Sequence, residues 1–109
     1  MLIDEWNNQF NKVEELERIF TEKELKLFPH KLNSGSLAGR YLVKSLLFRY
    51  LKIENDFKQI EILNDELGKP LLNLSGQLMN YCQEKDIQSI CCSISHSRKR
   101  VVGMIIIER

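Results

Sequence analysis

The stretch that decides the fold is LAGRYLVKSLLFRYL, residues 37–51. At about 100° per residue, its apolar side chains gather on one side of a helix and its polar side chains form two further rows. The predicted rows are Leu42, Val43, Leu46, Leu47 and Tyr50 on the apolar side, Arg40 with Lys44 on a second side, and Ser45, Arg49 and Lys52 on a third. The segment is therefore predicted to be a half-buried helix with a basic flank.

Two helices are predicted before this central segment. Residues 6–19 carry apolar side chains at three- and four-residue steps among charges, which is typical of an amphipathic helix. Thr21 and Glu24 then match the capping-box pattern, in which each side chain accepts a hydrogen bond from the other residue's backbone amide. A short second helix is predicted to begin there. In the polar loop that follows, Ser34 or Ser36 can cap the central helix.

Strands dominate the chain after the central helix. Alternating apolar residues, turn-forming residues and β-branched residues predict two hairpins with a helix between them. The predicted elements are strands at 59–63 and 71–74, a helix at 76–85 with Leu78, Met79 and Cys82 inward, and strands at 89–95 and 101–108. This order predicts one α+β domain over residues 1–109, with an antiparallel sheet packed against the long helix and the shorter helices.

Composition restricts the class of protein. The 109 residues are 43% hydrophobic and 28% charged with a formal net charge of +1, which argues against disorder and against a nucleic-acid-binding surface. The three cysteines are odd in number, and Cys91 and Cys92 on one strand point to opposite faces, so a reducing cytoplasm is expected. No signal pattern or apolar run of about 18 residues is found, so no membrane segment is expected.

Three groups of residues can surround an anion. Arginine and lysine supply charge-assisted donors, and a glycine turn lets backbone amides approach a phosphate. The candidates are Arg40, Lys44 and Arg49 on the helix, Gly68, Lys69 and Pro70 in a turn, and His96 at a strand end. Each group also has a plain structural interpretation, namely a solvated helix face, an ordinary turn and a hydrogen-bonded histidine at a sheet edge. Two histidines without a paired cysteine spacing argue against a structural zinc site.

The central segment resembles a known family. Residues 37–44, LAGRYLVK, are similar to the Leu-Ala-Gly-Arg-Phe-Ala-Ala-Lys segment of the holo-acyl-carrier-protein synthases, a branch of the 4′-phosphopantetheinyl transferases. Further similar segments follow in the family's order. They are FTEKEL at 20–25, residues 57–70 ending in NDELGKP, SISHS at 93–97 and IIIER at 105–109. The resemblance thus implies the phosphopantetheinyl transferase-like fold.

The resemblance also implies an activity. Family members transfer the phosphopantetheine arm of coenzyme A to a serine of an apo acyl carrier protein, a step of fatty acid biosynthesis, with magnesium as the usual divalent ion. They are typically homotrimers that bind coenzyme A between neighbouring subunits. By resemblance, Lys44 and Arg49 are catalytic residues that hold the pyrophosphate. The remaining coenzyme A positions are Arg40, Gly68, Lys69, Pro70 and His96.

The chain departs from the family at its metal-binding positions. Ser45 stands where the family has a metal-binding glutamate, and Arg49 stands where it has a second lysine. The family's Gly-x-Asp strand, which supplies the other ligand, has only Asp4 as a substitute here. The glycine-rich turn that follows the family's helix is replaced by residues 52–55, KIEN. A hydroxyl is a poor ligand where a hard cation prefers a carboxylate.

Three hypotheses follow. The first is a transferase with altered metal ligation, using Asp4, Glu5, Glu54 or a carboxylate of a partner subunit. The second is a non-catalytic homologue that binds coenzyme A or an acyl carrier protein, alongside an active paralogue. The third is a purely structural trimer.

Overall fold

The computed structural model describes residues 1–10, 12–28 and 34–109. Five α-helices and two β-hairpins form the described part, which confirms the predicted α+β class. The helices are α1 (Ile3–Gln9), α2 (Val13–Ile19), α3 (Glu22–Leu27), α4 (Ser34–Leu51) and α5 (Gly76–Glu84). The strands are β1 (Ile60–Asn64), β2 (Pro70–Leu74), β3 (Ser89–His96) and β4 (Val101–Glu108), and a 3₁₀ turn at Phe57–Gln59 precedes β1.

The amino-terminal region differs from the prediction. Residues 6–19 were predicted as one helix, but α1 and α2 are separate and α1 ends at Gln9. The Trp6 ring lies 4.5 Å from the Phe10 ring and 5.5 Å from the Tyr41 ring of α4, so α1 docks on the central helix. α1 contains two asparagines, which have a low helix propensity. The docking of Trp6 on α4 therefore outweighs the weak tendency of the segment to continue as one helix.

The capping box before α3 is confirmed. The Glu24 amide donates to Thr21 Oγ1 at 3.2 Å, and the Thr21 amide donates to Glu24 Oε1 at 3.0 Å. Two orphan amides of the first turn are thereby satisfied. The predicted polar loop lies partly outside the described residues, and α4 begins at Ser34, so Ser36 lies inside the helix rather than at its cap.

The apolar side of α4 is largely as predicted. Val43 and Leu47 are fully buried, whereas Tyr50 is 46% exposed, so its predicted inward position is wrong. Tyr50 lies in the last turn, where the Arg109 guanidinium sits 5.6 Å from the centre of its ring. Helical periodicity fixes the apolar side but does not tell which edge of it neighbouring elements cover.

Close contact between α4 and the second hairpin depends on two glycines. A Cβ on Gly39 would lie 2.2 Å from Ile94 Cγ2, and one on Gly103 would lie 3.2 Å from Val43 Cγ2. Both distances are short of ordinary van der Waals contact. α4 therefore packs directly on the β3–β4 hairpin. This close packing is possible because neither glycine has a side chain.

The antiparallel pairing is confirmed and is divided between two hairpins. β1 pairs with β2 from Ile60↔Leu74 to Asn64↔Pro70, and β3 pairs with β4 from Ser89↔Glu108 to His96↔Val101. As expected from alternation, Cys91 is exposed and Cys92 is half-buried on the other face. Among the residues predicted inward on α5, Leu78 and Cys82 are buried, but Met79 is 42% exposed and was wrongly placed.

The first residues of the chain join the second hairpin. The Val101 amide donates to the Met1 carbonyl at 2.9 Å, Leu2 forms a bridge with Arg100, and the Ile3 amide donates to the Lys99 carbonyl at 2.8 Å. This pairing anchors α1 beside the start of β4. None of the helices in the described residues is long and apolar enough to span a membrane.

Candidate functional site

The central helix carries a buried ion pair. Lys44 Nζ donates to Glu24 Oε1 and to the Ile19 carbonyl, both at 2.7 Å, and neither charged side chain is exposed. Glu24 Oε2 also accepts from the Ile62 amide at 3.1 Å. Burial lowers the pKa of Lys44, and the adjacent Glu24 carboxylate opposes that shift. Both charges are thus bound inside the domain, and the predicted contact of Lys44 with phosphate stays a prediction.

Arg40 is also committed to internal partners. Its Nε donates to the Ile62 carbonyl at 3.0 Å, Nη1 to the Ser36 carbonyl at 3.2 Å and Nη2 to Asn64 Oδ1 at 2.9 Å. The guanidinium carbon lies 4.4 Å from the centre of the Phe28 ring. The residue is 4% exposed, so it joins α4 to the end of β1. Its role at a nucleotide also stays a prediction.

His96 lies at the amino end of α4. Its Nε2 is 3.5 Å from Ser36 Oγ, and a Cβ on Gly35 would lie 2.9 Å from its Nδ1. The imidazole therefore lies over the first turn of the helix and is exposed to solvent. A helix amino terminus favours anions because its amides are unpaired, and an exposed imidazole beside it adds a donor.

The turn between β1 and β2 lies near the same end. Asp65 Oδ1 accepts from the amides of Leu67 and Lys69 at 2.8 Å each, and Gly68 adopts φ +83°. Asn64, which precedes the turn, binds Arg40. The Lys69 side chain is exposed. Gly68, Lys69 and Pro70 are therefore held by a tight Asx turn on the side of the domain where Arg40 anchors the strand.

A large open cleft lies at the other end of α4. Its volume is about 760 Å³. The residues that line it are Ser45, Phe48, Arg49, Lys52, Ile53, Glu54, Asn55 and Phe57. Ser45 and Arg49 also line a second cleft of about 260 Å³, which Met1, Leu42, Leu46 and residues 101–103 complete. We name the larger one the carboxy-terminal cleft, because it follows the last turns of α4.

Lys52 holds an uncommon backbone conformation beside this cleft. Its φ is +58°, in the left-handed region that favours glycine. The Ile53 amide donates to the Phe48 carbonyl at 3.2 Å and the Lys52 amide to the Arg49 carbonyl at 3.3 Å, which closes the helix. A lysine therefore occupies a position where a glycine costs less.

The predicted site residues fall into two groups on one chain. Arg40, His96 and the β1–β2 turn lie toward the amino end of α4, and Ser45 with Arg49 lies toward its carboxyl end. At ~1.5 Å per residue, Arg40 and Arg49 are separated by roughly 13 Å along the helix axis. Arg40 and Arg49 of one chain therefore do not meet at a single point of the helix.

The residues of the carboxy-terminal cleft do not fit a magnesium ion. Magnesium prefers carboxylate oxygens and ordered water in octahedral geometry. The lining holds one carboxylate, Glu54, together with two cations, Arg49 and Lys52, which repel a metal ion. Asp4 is exposed in the first turn of α1 and is not among the residues lining the cleft. Across residues 1–10, 12–28 and 34–109, His, Cys, Asp and Glu form no group of three or more suited to a metal.

Sequence reasoning missed the partners of the buried cations. Glu24 was recognised as a capping residue, but its pairing with Lys44 had no signal, because the two residues lie on different elements. Asn64 was likewise missed as a partner of Arg40. Lys52 and Glu54 were both named from the sequence, Lys52 in one row with Ser45 and Arg49 and Glu54 as a replacement carboxylate, and both line the carboxy-terminal cleft.

Known proteins resemble the chain over most of its length. The holo-[acyl-carrier-protein] synthase of Clostridium tetani is 37% identical over 113 residues, covering 95% of this chain and 82% of that protein. The holo-[acyl-carrier-protein] synthase of Halothermothrix orenii is 32% identical over 109 residues, covering 96% and 83% respectively. No family model matches the chain.

Solved structures have the same fold. A crystal structure of holo-[acyl-carrier-protein] synthase from Neisseria meningitidis superposes with a TM-score of 0.80 at 26% identity, covering 98% of this chain and 89% of that one. The Helicobacter pylori holo-[acyl-carrier-protein] synthase in complex with coenzyme A gives a TM-score of 0.83 at 24% identity, covering 99% and 95%. The second likeness concerns the fold alone.

Proposed function

Since this chain belongs to the holo-[acyl-carrier-protein] synthase family, we propose that it transfers the 4′-phosphopantetheine group of coenzyme A to a serine of an apo acyl carrier protein. The observation that supports this most directly is the family likeness along almost the whole chain, central helix included. The carboxy-terminal cleft on that helix supplies cations for the pyrophosphate. We place the protein in the cytoplasm, where its three free thiols remain reduced.

The proposed reaction is a phosphoryl-type transfer. The serine oxygen of the carrier attacks the phosphorus that bears the pantetheine arm, and a new P–O bond forms. The P–O bond of the pyrophosphate breaks, and adenosine 3′,5′-bisphosphate leaves with the electron pair. The serine proton passes to a base. Positioning and charge stabilisation dominate such reactions, so Arg49 is assigned to the developing negative charge.

We assign the proton-accepting role to Glu54. Of the carboxylates considered as replacements, it is the one that lines the cleft with Ser45. Asp4 and Glu5 lie exposed on α1. A general base must come within hydrogen-bond reach of the proton that it takes, and a carboxylate in the same cleft meets that condition most simply.

The transfer itself is tested by mass spectrometry. We expect that incubation with coenzyme A, magnesium and several apo carrier proteins adds one phosphopantetheine mass to a carrier. Glu54→Gln should slow the transfer at least tenfold in kcat, because the amide cannot accept the proton. Glu84→Gln, an exposed carboxylate at the end of α5, is the control. Absence of transfer to every carrier at high enzyme concentration would refute the transferase proposal.

A second candidate function is supported by Ser45. A hydroxyl stands at the family's carboxylate position, so a homologue that binds coenzyme A or a carrier protein without transfer is the alternative. The same experiment separates the two functions. Binding of coenzyme A without any mass increase on the carrier would favour the second.

We also propose that the protein assembles as a homotrimer. The supporting observation is the separation of Arg40 from Arg49 along α4, which neighbouring subunits can bring together across an interface. A second support is the outer face of the β3–β4 hairpin, where Val102, Met104 and Ile106 are all more than half exposed. An apolar face of this kind on a small domain marks a contact surface, and we assign it to a second copy of this chain.

Met104→Glu is expected to break this assembly. Its side chain is 52% exposed at the middle of β4, so a charge there costs the monomer little but would be buried in an interface. Light scattering after size-exclusion chromatography should give a trimer mass for the wild type and a monomer mass for the variant. Met79→Glu on α5, which is also exposed, is the matched control. A wild-type monomer at micromolar concentration would contradict the trimer.

A further inference from the structure

We infer that the carboxy-terminal cleft binds a pyrophosphate group without a divalent ion, with Arg49 and Lys52 supplying the positive charge. The ligand class rests on the proposed function, since pyrophosphate is the charged centre of coenzyme A. The independence from metal rests on the cleft itself and reverses what the family resemblance implies. Two observations carry it.

The first observation is the charge of the cleft. Two cations and one carboxylate line it, together with the Ser45 hydroxyl and the Asn55 amide. A guanidinium can hold two phosphate oxygens at once, and an ammonium adds a compact charge with three donors. This donor set suits an anion directly. It suits magnesium less well, because both cations repel the ion and Ser45 places a neutral hydroxyl where the ion would need a second carboxylate.

The second observation is the backbone at Lys52. The left-handed conformation with φ +58° would be easier for glycine, yet a long cationic side chain is kept there, beside Arg49 and facing the same cleft. Strained residues that persist in this way cluster at binding sites. The strain therefore points to a use of the Lys52 side chain beyond ending the helix.

The helix dipole gives a simpler explanation for Arg49 and Lys52 at the end of α4. Cations at the last turn of a helix are favourable because they face the negative end of the helix dipole. That explanation predicts that Arg49 and Lys52 affect stability and bind nothing. The inference predicts that removal of Lys52 weakens ligand binding even where it makes the backbone easier to form.

The experiment is titration calorimetry with inorganic pyrophosphate and with coenzyme A, each in excess EDTA and again in magnesium. We expect both ligands to bind in EDTA with a dissociation constant within threefold of the magnesium value. Arg49→Gln and Lys52→Gln should each weaken binding about tenfold, since each removes charged hydrogen bonds. Lys26→Gln, a cation in the last turn of α3, should leave the dissociation constant unchanged.

Lys52→Gly distinguishes the two explanations. Glycine relieves the left-handed backbone, so this variant should melt at a higher temperature while binding pyrophosphate as weakly as Lys52→Gln. Asp86→Gly is the control for the backbone effect, because within the described ranges Asp86 is the other non-glycine residue with positive φ. Ser45→Glu should create magnesium-dependent binding that the parent lacks.

Several outcomes would overturn the inference. They are binding that occurs only with magnesium, no binding of either ligand, and binding that survives the loss of both cations. Its failure is distinguishable from failure of the transferase proposal. A protein that binds coenzyme A in EDTA but modifies no carrier keeps the metal-free cleft and loses the transfer. A protein that modifies carriers but binds coenzyme A only with magnesium keeps the transfer and loses the metal-free cleft.

Discussion

Replacement of Lys44 by methionine is expected to lower the free energy of unfolding by about 3–5 kcal/mol. The Glu24 carboxylate would stay buried after losing a partner at 2.7 Å, and an unpaired buried charge is costly. The capping box before α3 would remain, because the Thr21 and Glu24 backbone amides keep their acceptors. Urea denaturation followed by circular dichroism measures the loss.

The control is a double-mutant cycle. Glu24→Gln should also destabilise the protein, because it leaves the Lys44 ammonium without an anion. The double variant, Glu24→Gln with Lys44→Met, removes both charges and should be more stable than the sum of the single losses predicts, by about 1–3 kcal/mol. If the two losses simply add, the ion pair contributes no coupling and the buried pair is not what joins α3 to α4.

Gly39→Val is expected to cost about 3 kcal/mol of folding free energy. A Cβ at position 39 would lie 2.2 Å from Ile94 Cγ2, and the two further methyl groups of valine increase the overlap. The helix would have to move away from the β3–β4 hairpin. Because α4 also carries Ser45 and Arg49, the shift would disturb the carboxy-terminal cleft as well. Thermal and urea denaturation report the stability change.

A second substitution on the facing strand tests this cause. Ile94→Ala removes the methyl group that the new side chain meets. On its own it should destabilise the protein by removing apolar contacts, but combined with Gly39→Val it should recover at least half of the glycine variant's loss. A Gly39→Val protein as stable as the wild type would show that helix and sheet do not depend on this contact.

Much of the fold could be predicted because its signals are local. The Thr21–Glu24 capping box needs four residues of sequence, and it forms as the pattern indicates. The β3–β4 hairpin follows from alternation and a polar turn, which together fix its register. The single helix over residues 6–19 failed because docking of Trp6 on Tyr41 is a tertiary effect that periodicity does not contain.

The site was harder to predict, because its key contacts join distant parts of the chain. A row of Arg40 and Lys44 on a helix indicates a solvated flank, since charged residues are rarely buried. Both residues are buried here, each with partners on other elements. The resemblance correctly identified the family, and it directed attention to Ser45 and Arg49. Helical periodicity had already placed Lys52 in one row with Ser45 and Arg49, and Glu54 was among the predicted replacement carboxylates; both line the cleft beside them.

The capping residue Glu24 has a consequence for how the domain opens. One carboxylate accepts hydrogen bonds from the amino end of α3, from Lys44 of α4 and from the Ile62 amide of β1. α3 has six residues, too few to persist alone. When α3 frays, Glu24 moves with it, and the hydrogen bond from the Ile62 amide of β1 is lost as well. The first turn of α3 and the centre of β1 should exchange their amide hydrogens together, as one cooperative unit.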